Sequence, residues 1–359
     1  MTRINSSIIE IDGKKIGEGN KPYIVAEMSG NHNGSIKNAL KIIKTANECG
    51  ADAVKIQTYT PDTITINHNG PEFIIKDGLW EGRKLYELYE EAHTPWEWHQ
   101  EMFEYAKKIG ITLFSSPFDY TAVNLLESLN NPIYKIASPE IIDLELIKKM
   151  AKTKKPLIIS TGMATLFEIE EAIKTANLEG ANQIVVLHCT SSYPAPIKEA
   201  NLSTICEIRE KFNVITGLSD HTKGTFIPTL AIALGASVIE KHFTLDRSKG
   251  GVDSEFSIEP KELEKLVQDC ESANIAKGTP AFKPTDSESI VLKNRRSIYV
   301  VKKINKGELI TTDNVRSIRP GKGLLPKYIN KIIGHRASRD IEYGEAFELS
   351  MIMGEVSLD

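Results

Sequence analysis

Short, nearly all-apolar runs recur through the first two-thirds of the chain. They read PYIVAE (22–27), ADAVKIQ (51–57), ITLFSS (111–116), IYKIAS (133–138), PLIIST (156–161), QIVVLHC (183–189), VITGLSD (214–220) and SVIEKHF (237–243). Strands covered on both faces look like this, because neither face needs to meet water. Between them lie segments with helical spacing. In IKNALKIIKTANECG, Ile36, Leu40, Ile43 and Ala46 share one face, with lysines on the other. Gly50, Gly110, Gly180 and Gly235 follow helical stretches, where a helix end favours a left-handed residue. Eight strand–helix units in roughly 250 residues predict an α/β fold, the (β/α)8 TIM barrel. An open doubly wound sheet is the competing architecture. It usually has fewer strands, and nothing here resembles GxGxxG.

One connection is long. Residues 58–98 separate the second and third strands. Such a segment either shapes substrate access or is an insertion with its own short helix. After residue 274 the pattern changes. AKGTPAFKPTDSES has the Pro, Gly and Ser of a linker, and short β-like runs broken by Gly turns follow. The predicted layout is a barrel domain over 1–274, a linker over 275–290 and a small mostly-β domain over 291–359. A domain of that size has a thin core and is expected to lean on another surface.

Composition narrows the function classes. A net charge of −4 gives no electrostatic footprint for nucleic acid. No apolar run approaches the ~20 residues needed to cross a membrane. The N-terminal MTRINSSIIEIDGKK is too polar for a secretory signal. Cys49, Cys189, Cys206 and Cys270 are scattered, without CxxC spacing, as expected of reduced thiols in a cytoplasmic protein.

Candidate chemistry gathers where the apolar runs end. Glu27 ends the first strand, Lys55 and Gln57 the second, Ser115 and Ser116 the third. Lys135 and Ser138 end the fourth, with Glu140 just beyond, and Ser160 and Thr161 end the fifth. His188 and Thr190 mark the sixth, followed by Ser191 and Tyr193. Ser219, Asp220 and His221 mark the seventh; Glu240, Lys241 and His242 mark the eighth. A barrel gathers all eight ends on one rim, where such folds place their active sites. Lys55 and Lys135, with the hydroxyls of Ser116, Ser138, Ser160 and Ser219, suit a phosphate or carboxylate. Taken singly, each serine reads better as a helix cap. Two inward lysines are harder to dismiss, because an unpaired buried ammonium is costly and an anionic substrate would satisfy both. His221 and His242, on adjacent strand ends, can share one divalent metal, with Asp220 as an outer partner. His32, His188 and His335 are weaker candidates. His68, His93 and His99 are expected to be solvated or to belong to the insertion.

These residues carry a resemblance. AEMSGNHNG (26–34), VKIQTYTPDT (54–63), FSSPFD (114–119), YKIASPE (134–140), STGM (160–163), LHCTSSYPAP (187–196), GLSDHT (217–222) and IEKHFTLDR (239–247) resemble the sialic acid synthase family in order and spacing. NRRSIYVVKKINKGELIT resembles that family's antifreeze-like (SAF) domain. The resemblance implies condensation of phosphoenolpyruvate with an amino-sugar aldehyde, with release of phosphate by C–O cleavage. Within the family, EMSGNHN, KIQTYTPDT and GGVDSEFSIEP (250–260) look most like the branch that makes pseudaminic acid from 2,4-diacetamido-2,4,6-trideoxy-L-altrose. N-acetylneuraminate or legionaminate synthesis is the neighbouring reading.

By the same resemblance, Lys55, Ser116, Lys135, Ser138, Ser160 and Ser219 match positions that hold phosphoenolpyruvate. His221 and His242 match ligands of a divalent metal (Mn2+, Mg2+ or Co2+). Glu27 and Asp253 match acceptor-sugar contacts, Glu140 a carboxylate near the reacting carbons, and Tyr193 an aromatic beside the pocket. Ser191 replaces an Asn common in neuraminate synthases, which fits a different sugar. Arg319 matches an arginine lent to the partner subunit's sugar site, which implies a domain-swapped homodimer. Two other classes compete. A Schiff-base aldolase would use Lys55, Lys135 or Lys241. A non-catalytic ice-binding protein would need a flat, Thr-rich surface, and KKINKGE is charged.

Overall fold

The computed structural model describes residues 7–357, which form two compact units dividing after Gly278. The first opens with an antiparallel hairpin, β1 (Ile8–Ile11) and β2 (Lys14–Gly17). Eight parallel strands follow: β3 (Tyr23–Glu27), β4 (Ala53–Thr58), β5 (Thr112–Pro117), β6 (Tyr134–Ile136), β7 (Leu157–Ser160), β8 (Ile184–Cys189), β9 (Ile215–Asp220) and β10 (Val238–His242). They pair in sequence order, and β10 returns to β3 to close the barrel. All eight strands read from the apolar runs are present. Helices cover the outside, and local sequence starts them. Ser35 caps Ile36–Glu48, Asp119 caps Tyr120–Ser128, and Thr165 with Glu168 forms a capping box on Leu166–Leu178. No described helix is long and apolar enough to cross a membrane.

The strands alternate even though their sequences do not. Every residue from Val238 to His242 is buried, but two different interiors receive them. Val25, Ala53, Phe114, Ile158, Val185, Leu187, Ile215 and Val238 pack with one another inside the barrel. Ile24, Ala26, Val54, Ile56, Leu113, Leu218 and Ile239 pack outward beneath the helices. Ile9, Ile11 and Ile16 of the hairpin join the inner cluster. The hairpin therefore plugs the barrel with isoleucine, a feature the sequence reading did not anticipate. Inside the barrel, Gly217 leaves no room for a side chain: an added Cβ would strike the Val238 carbonyl oxygen and Leu187.

The long connection contains helices Pro61–Ile64 and Leu85–Ala92. Between them, residues 74–84 double back on themselves, held by Ile75 N–H to Arg83 O (2.9 Å) and Gly82 N–H to Ile75 O (2.8 Å). The second unit contains the antiparallel strands β11 (Ser297–Val300) and β12 (Val315–Ile318). Isolated bridges such as Ile304–Ile341 and Leu309–Arg336 extend the pairing. Ile298, Val300, Ile304, Ile310, Val315, Ile332, Ile341 and Phe347 form a core of its own.

Candidate active site

Period-two alternation decides which strand-end residues share a cavity. Counting along each strand from the inner core residue, Val25 leads to Glu27, Ala53 to Lys55 and Gln57, and Phe114 to Ser116. Ile133 leads to Lys135, Ile158 to Ser160, Leu187 to Cys189, Gly217 to Ser219, and Val238 to Glu240 and His242. Cross-strand register then aligns them, with Glu27 opposite Lys55 and Ser219 opposite Glu240.

The deepest layer is a charge cluster. Glu240 Oε1 lies 3.1 Å from Lys135 Nζ and 3.4 Å from Lys55 Nζ, and it accepts from Ser219 Oγ at 3.2 Å. Glu27 Oε2 pairs with Lys55 at 3.0 Å, and Glu27 Oε1 accepts from Gln57 Nε2 at 3.3 Å. Lys55 also donates to Ser116 Oγ at 3.3 Å. All four charged groups are buried. Burial works against the charge on Glu240, but Lys135 and Lys55 outweigh it and hold the carboxyl below its usual range. Burial is not outweighed at Glu27, whose carboxyl is pushed up, with Glu240 adding repulsion. Lys55 stays strongly ammonium because Glu240 and Glu27 overcome its burial. Lys135, with Glu240 alone as its close carboxylate, is pulled down by burial. The two lysines are thus not unpaired, as the sequence reading supposed. Glu240, which that reading did not assign, is their common counter-charge.

Above this layer stand hydroxyls and a second carboxyl. Ser160 Oγ is buried without a hydrogen-bond partner. Ser138 follows β6 and accepts from the Gly162 N–H at 3.0 Å. A Cβ on Gly162 would collide with Ser191 Oγ and Ser138 Oγ, so glycine here keeps the serines close. Glu140 has one carboxylate oxygen buried and unpartnered, and burial pushes its pKa up to about 7. A carboxyl poised there can take or give a proton near neutrality.

The imidazoles of His221 and His242 stand side by side, with ring centroids 5.3 Å apart. His221 Nδ1 lies 2.9 Å from Thr190 O. A carbonyl only accepts, so Nδ1 carries a proton. Burial works against the ring's charge, but Cys189, Thr190 O and Asp220 outweigh it and raise the pKa, so Nε2 offers a lone pair once the ring gives up its second proton. His242 Nδ1 is buried without a partner. Burial, then the charge of His221, holds His242 well below its ordinary pKa, in the neutral form a metal requires. The donor set therefore fits a divalent ion. No cluster of three His, Cys, Asp or Glu side chains suited to a metal exists among the described residues, so water and substrate would fill the other positions. Cys189, on the same inner face, lies 3.9 Å from His221 Nδ1. Burial alone would raise its thiol; His221 outweighs burial and brings it to about 7.

Aromatic rings wall this pair. Tyr193 lies 4.4 Å from His221 between centroids, and Phe256 lies 4.8 Å from His242 and 5.0 Å from Tyr193. Trp80 approaches Tyr193 to 5.5 Å. Asp253 is buried and accepts from the Gly30 N–H at 3.1 Å, which fixes it in the AEMSGNHNG turn. Burial raises its carboxyl pKa.

Other strand-end residues face outward. Asp220 pairs with Lys241 at 2.5 Å and accepts from Thr222 Oγ1 at 3.0 Å. It is not the outer partner of the histidines. Lys241 also donates to Thr222 O at 2.5 Å, so it lies outside the barrel interior and is no Schiff-base candidate. Ser115 bonds Thr58 Oγ1 at 2.6 Å, and His188 bonds Ala200 O at 2.7 Å. His99 corrects the expectation of a solvated side chain: it is fully buried and bonds Thr58 Oγ1 at 2.8 Å. Buried His32 accepts from Gly34 N–H and stacks edge-on against Trp98. Arg319 belongs to the second unit, where it is exposed just after β12.

The fold is a TIM barrel whose strand ends gather a buried charge cluster and an imidazole pair at one mouth. The chain belongs to the NeuB family, whose model matches residues 42–281; a SAF domain model matches residues 295–353. It is 48% identical over 331 residues to a pseudaminic acid synthase of Campylobacter jejuni, covering 91% of this chain and 96% of that one. A pseudaminic acid synthase of Helicobacter pylori is 46% identical, covering 89% and 94%. Among solved structures, an N-acetylneuraminic acid synthetase from Leptospira borgpetersenii in complex with citrate matches with a TM-score of 0.72. It is 34% identical and covers 81% of this chain and 97% of that one.

Proposed function

We propose that this chain is a pseudaminic acid synthase. It condenses phosphoenolpyruvate with 2,4-diacetamido-2,4,6-trideoxy-L-altrose and water, giving pseudaminic acid and phosphate. The observation that carries the reading is the meeting of the charge cluster and the imidazole pair in one barrel mouth, in a chain 48% identical to an enzyme of that name. N-acetylneuraminate synthesis is the second reading, favoured by the match to the Leptospira structure at lower identity.

Lys55, Lys135, Ser116, Ser138, Ser160 and Ser219 hold the phosphate and carboxylate of phosphoenolpyruvate. The unpartnered Ser160 hydroxyl supports this, since a buried donor without an acceptor is costly until a ligand supplies one. Glu240 moves aside or shares its lysines as the anion enters. His221 and His242 would hold a divalent cation, Mn2+, Mg2+ or Co2+, which would supply Lewis-acid polarisation of the acceptor's carbonyl. Glu27 and Asp253 position the sugar, and Tyr193 packs against it. The methylene carbon of phosphoenolpyruvate forms the new bond to the aldehyde carbon. The former aldehyde oxygen takes up a proton to become the sugar's hydroxyl. Water adds to the cationic enol carbon, losing one proton to Glu140, and as phosphate leaves with the bridging oxygen the added hydroxyl loses its second proton and becomes the keto oxygen. Oxygen-labelled water tests this order: the label is expected in the sugar acid. Label in the phosphate would overturn C–O cleavage.

The reading includes a partner subunit. Arg319 is exposed on the small domain, as an arginine lent to another chain's site would be. A domain-swapped homodimer working in the cytoplasm completes the proposal.

A further inference from the structure

Trp80 is unaccounted for by the reaction. It sits at the tip of the doubled-back segment 74–84, far in sequence from every strand end. Its indole N–H donates to Val252 O at 2.9 Å, which ties the insertion to the loop carrying Asp253. Its ring lies 5.5 Å from Tyr193 and 6.3 Å from Phe256. Tyr193 in turn covers His221 at 4.4 Å. The rings therefore run outward from the imidazole pair, with Trp80 one ring further out than Tyr193. Phe256 is buried, whereas Trp80 and Tyr193 are half-buried.

We propose that Trp80 is a specificity-determining residue, packing its indole against the distal, deoxygenated end of the acceptor sugar and favouring a C6 methyl over a hydroxymethyl. The inference rests on the proposed reaction, which puts the aldehyde at the imidazole pair and so directs the other end of the sugar outward. An indole offers a broad apolar face whose one polar group is already bonded to Val252 O, so it has no donor left for a hydroxyl. Burying a hydroxyl against that face forfeits its water without replacement. An apolar surface discriminates against an added hydroxyl by roughly 10- to 100-fold.

The test compares kcat/KM for the 6-deoxy acceptor and for the same diacetamido sugar bearing a 6-hydroxyl. In Trp80→Ala the preference for the 6-deoxy acceptor is expected to fall by about 10-fold or more, while KM for phosphoenolpyruvate stays within about two-fold. Trp80→Phe, which keeps a ring but loses the Val252 bond, is expected to restore most of the preference. A preference unchanged in Trp80→Ala, or a loss shared equally by both acceptors and phosphoenolpyruvate, would overturn the inference. Should Trp80→Ala fold poorly, acceptor titration decides. Binding quenches wild-type tryptophan fluorescence and leaves Trp80→Phe unquenched; equal quenching in both would count against the role. Wild type that ignores the 6-deoxy acceptor altogether reports failure of the proposed reaction, which is separate from an unaltered preference.

Discussion

Glu240 Oε1 lies 3.1 Å from Lys135 Nζ in a cavity that admits almost no solvent. Both lysines lean on this one carboxylate, so it holds the proposed anion site together before any anion arrives. Breaking a buried pair by removing one partner typically costs roughly 3–5 kcal/mol, because the other charge is stranded. Glu240→Ala is therefore expected to lower the melting temperature clearly. Inorganic phosphate should recover part of the loss in the variant and change wild type less. Melting curves with and without phosphate check this; a variant as stable as wild type would contradict the shared role.

Glu140 makes a prediction in pH. Burial raises its pKa from 4.5 to about 7. The unfolded chain ionises near 4.5, so between 4.5 and 7 the native state binds the extra proton and stability falls as pH rises. Above pH 7 the full cost is present, on the order of 3 kcal/mol. Glu140→Gln removes it, and is expected to melt higher than wild type at pH 8 but not at pH 4. Its kcat should fall, by about 100-fold or more for a lost general base. The acidic limb of the wild-type profile near pH 7 should vanish with it. Parallel melting and pH–rate series read both effects.

The imidazole pair predicts metal dependence. Chelation should abolish turnover, and an added divalent ion should restore it in wild type. His221→Ala and His242→Ala are each expected to resist that rescue and to lose several kcal/mol of transition-state stabilisation, on the order of 1,000-fold in kcat. Full activity of His221→Ala after chelation would contradict the assignment.

The proposed swapped dimer predicts complementation. Arg319→Ala and His221→Ala should each be inactive alone. Refolded together, mixed dimers would pair an intact barrel with an intact arginine at roughly a quarter of the sites. Recovered activity on mixing supports the exchange; none argues for a site built from one chain.

Much of this was legible in the sequence. Eight apolar runs gave eight barrel strands, because a fully covered strand has a recognisable composition. The same property hid which polar residues face inward. VIEKHF shows Glu240, Lys241 and His242 in a row without apolar alternation to sort them, so Asp220 and Lys241 read as site residues. Parity counted from Val238 separates them: Glu240 and His242 point in, and Lys241 pairs outward with Asp220. That signal was available once the inner row was anchored. Trp80 carried none, because only the fold of residues 74–84 brings it 5.5 Å from Tyr193. The isoleucine plug was equally silent, since Ile9, Ile11 and Ile16 resemble any short amphipathic hairpin until a barrel stands over them.

The central claim is that one cavity joins phosphoenolpyruvate to a diacetamido sugar. The most direct measurement is phosphate release from phosphoenolpyruvate by metal-loaded wild type, with N-acetylmannosamine, the 2,4-diacetamido-2,4,6-trideoxy-L-altrose or its mannose-configured relative as acceptor. The account predicts release with the altrose far above the other two. Release driven best by N-acetylmannosamine, or no acceptor-dependent release at all, would contradict it.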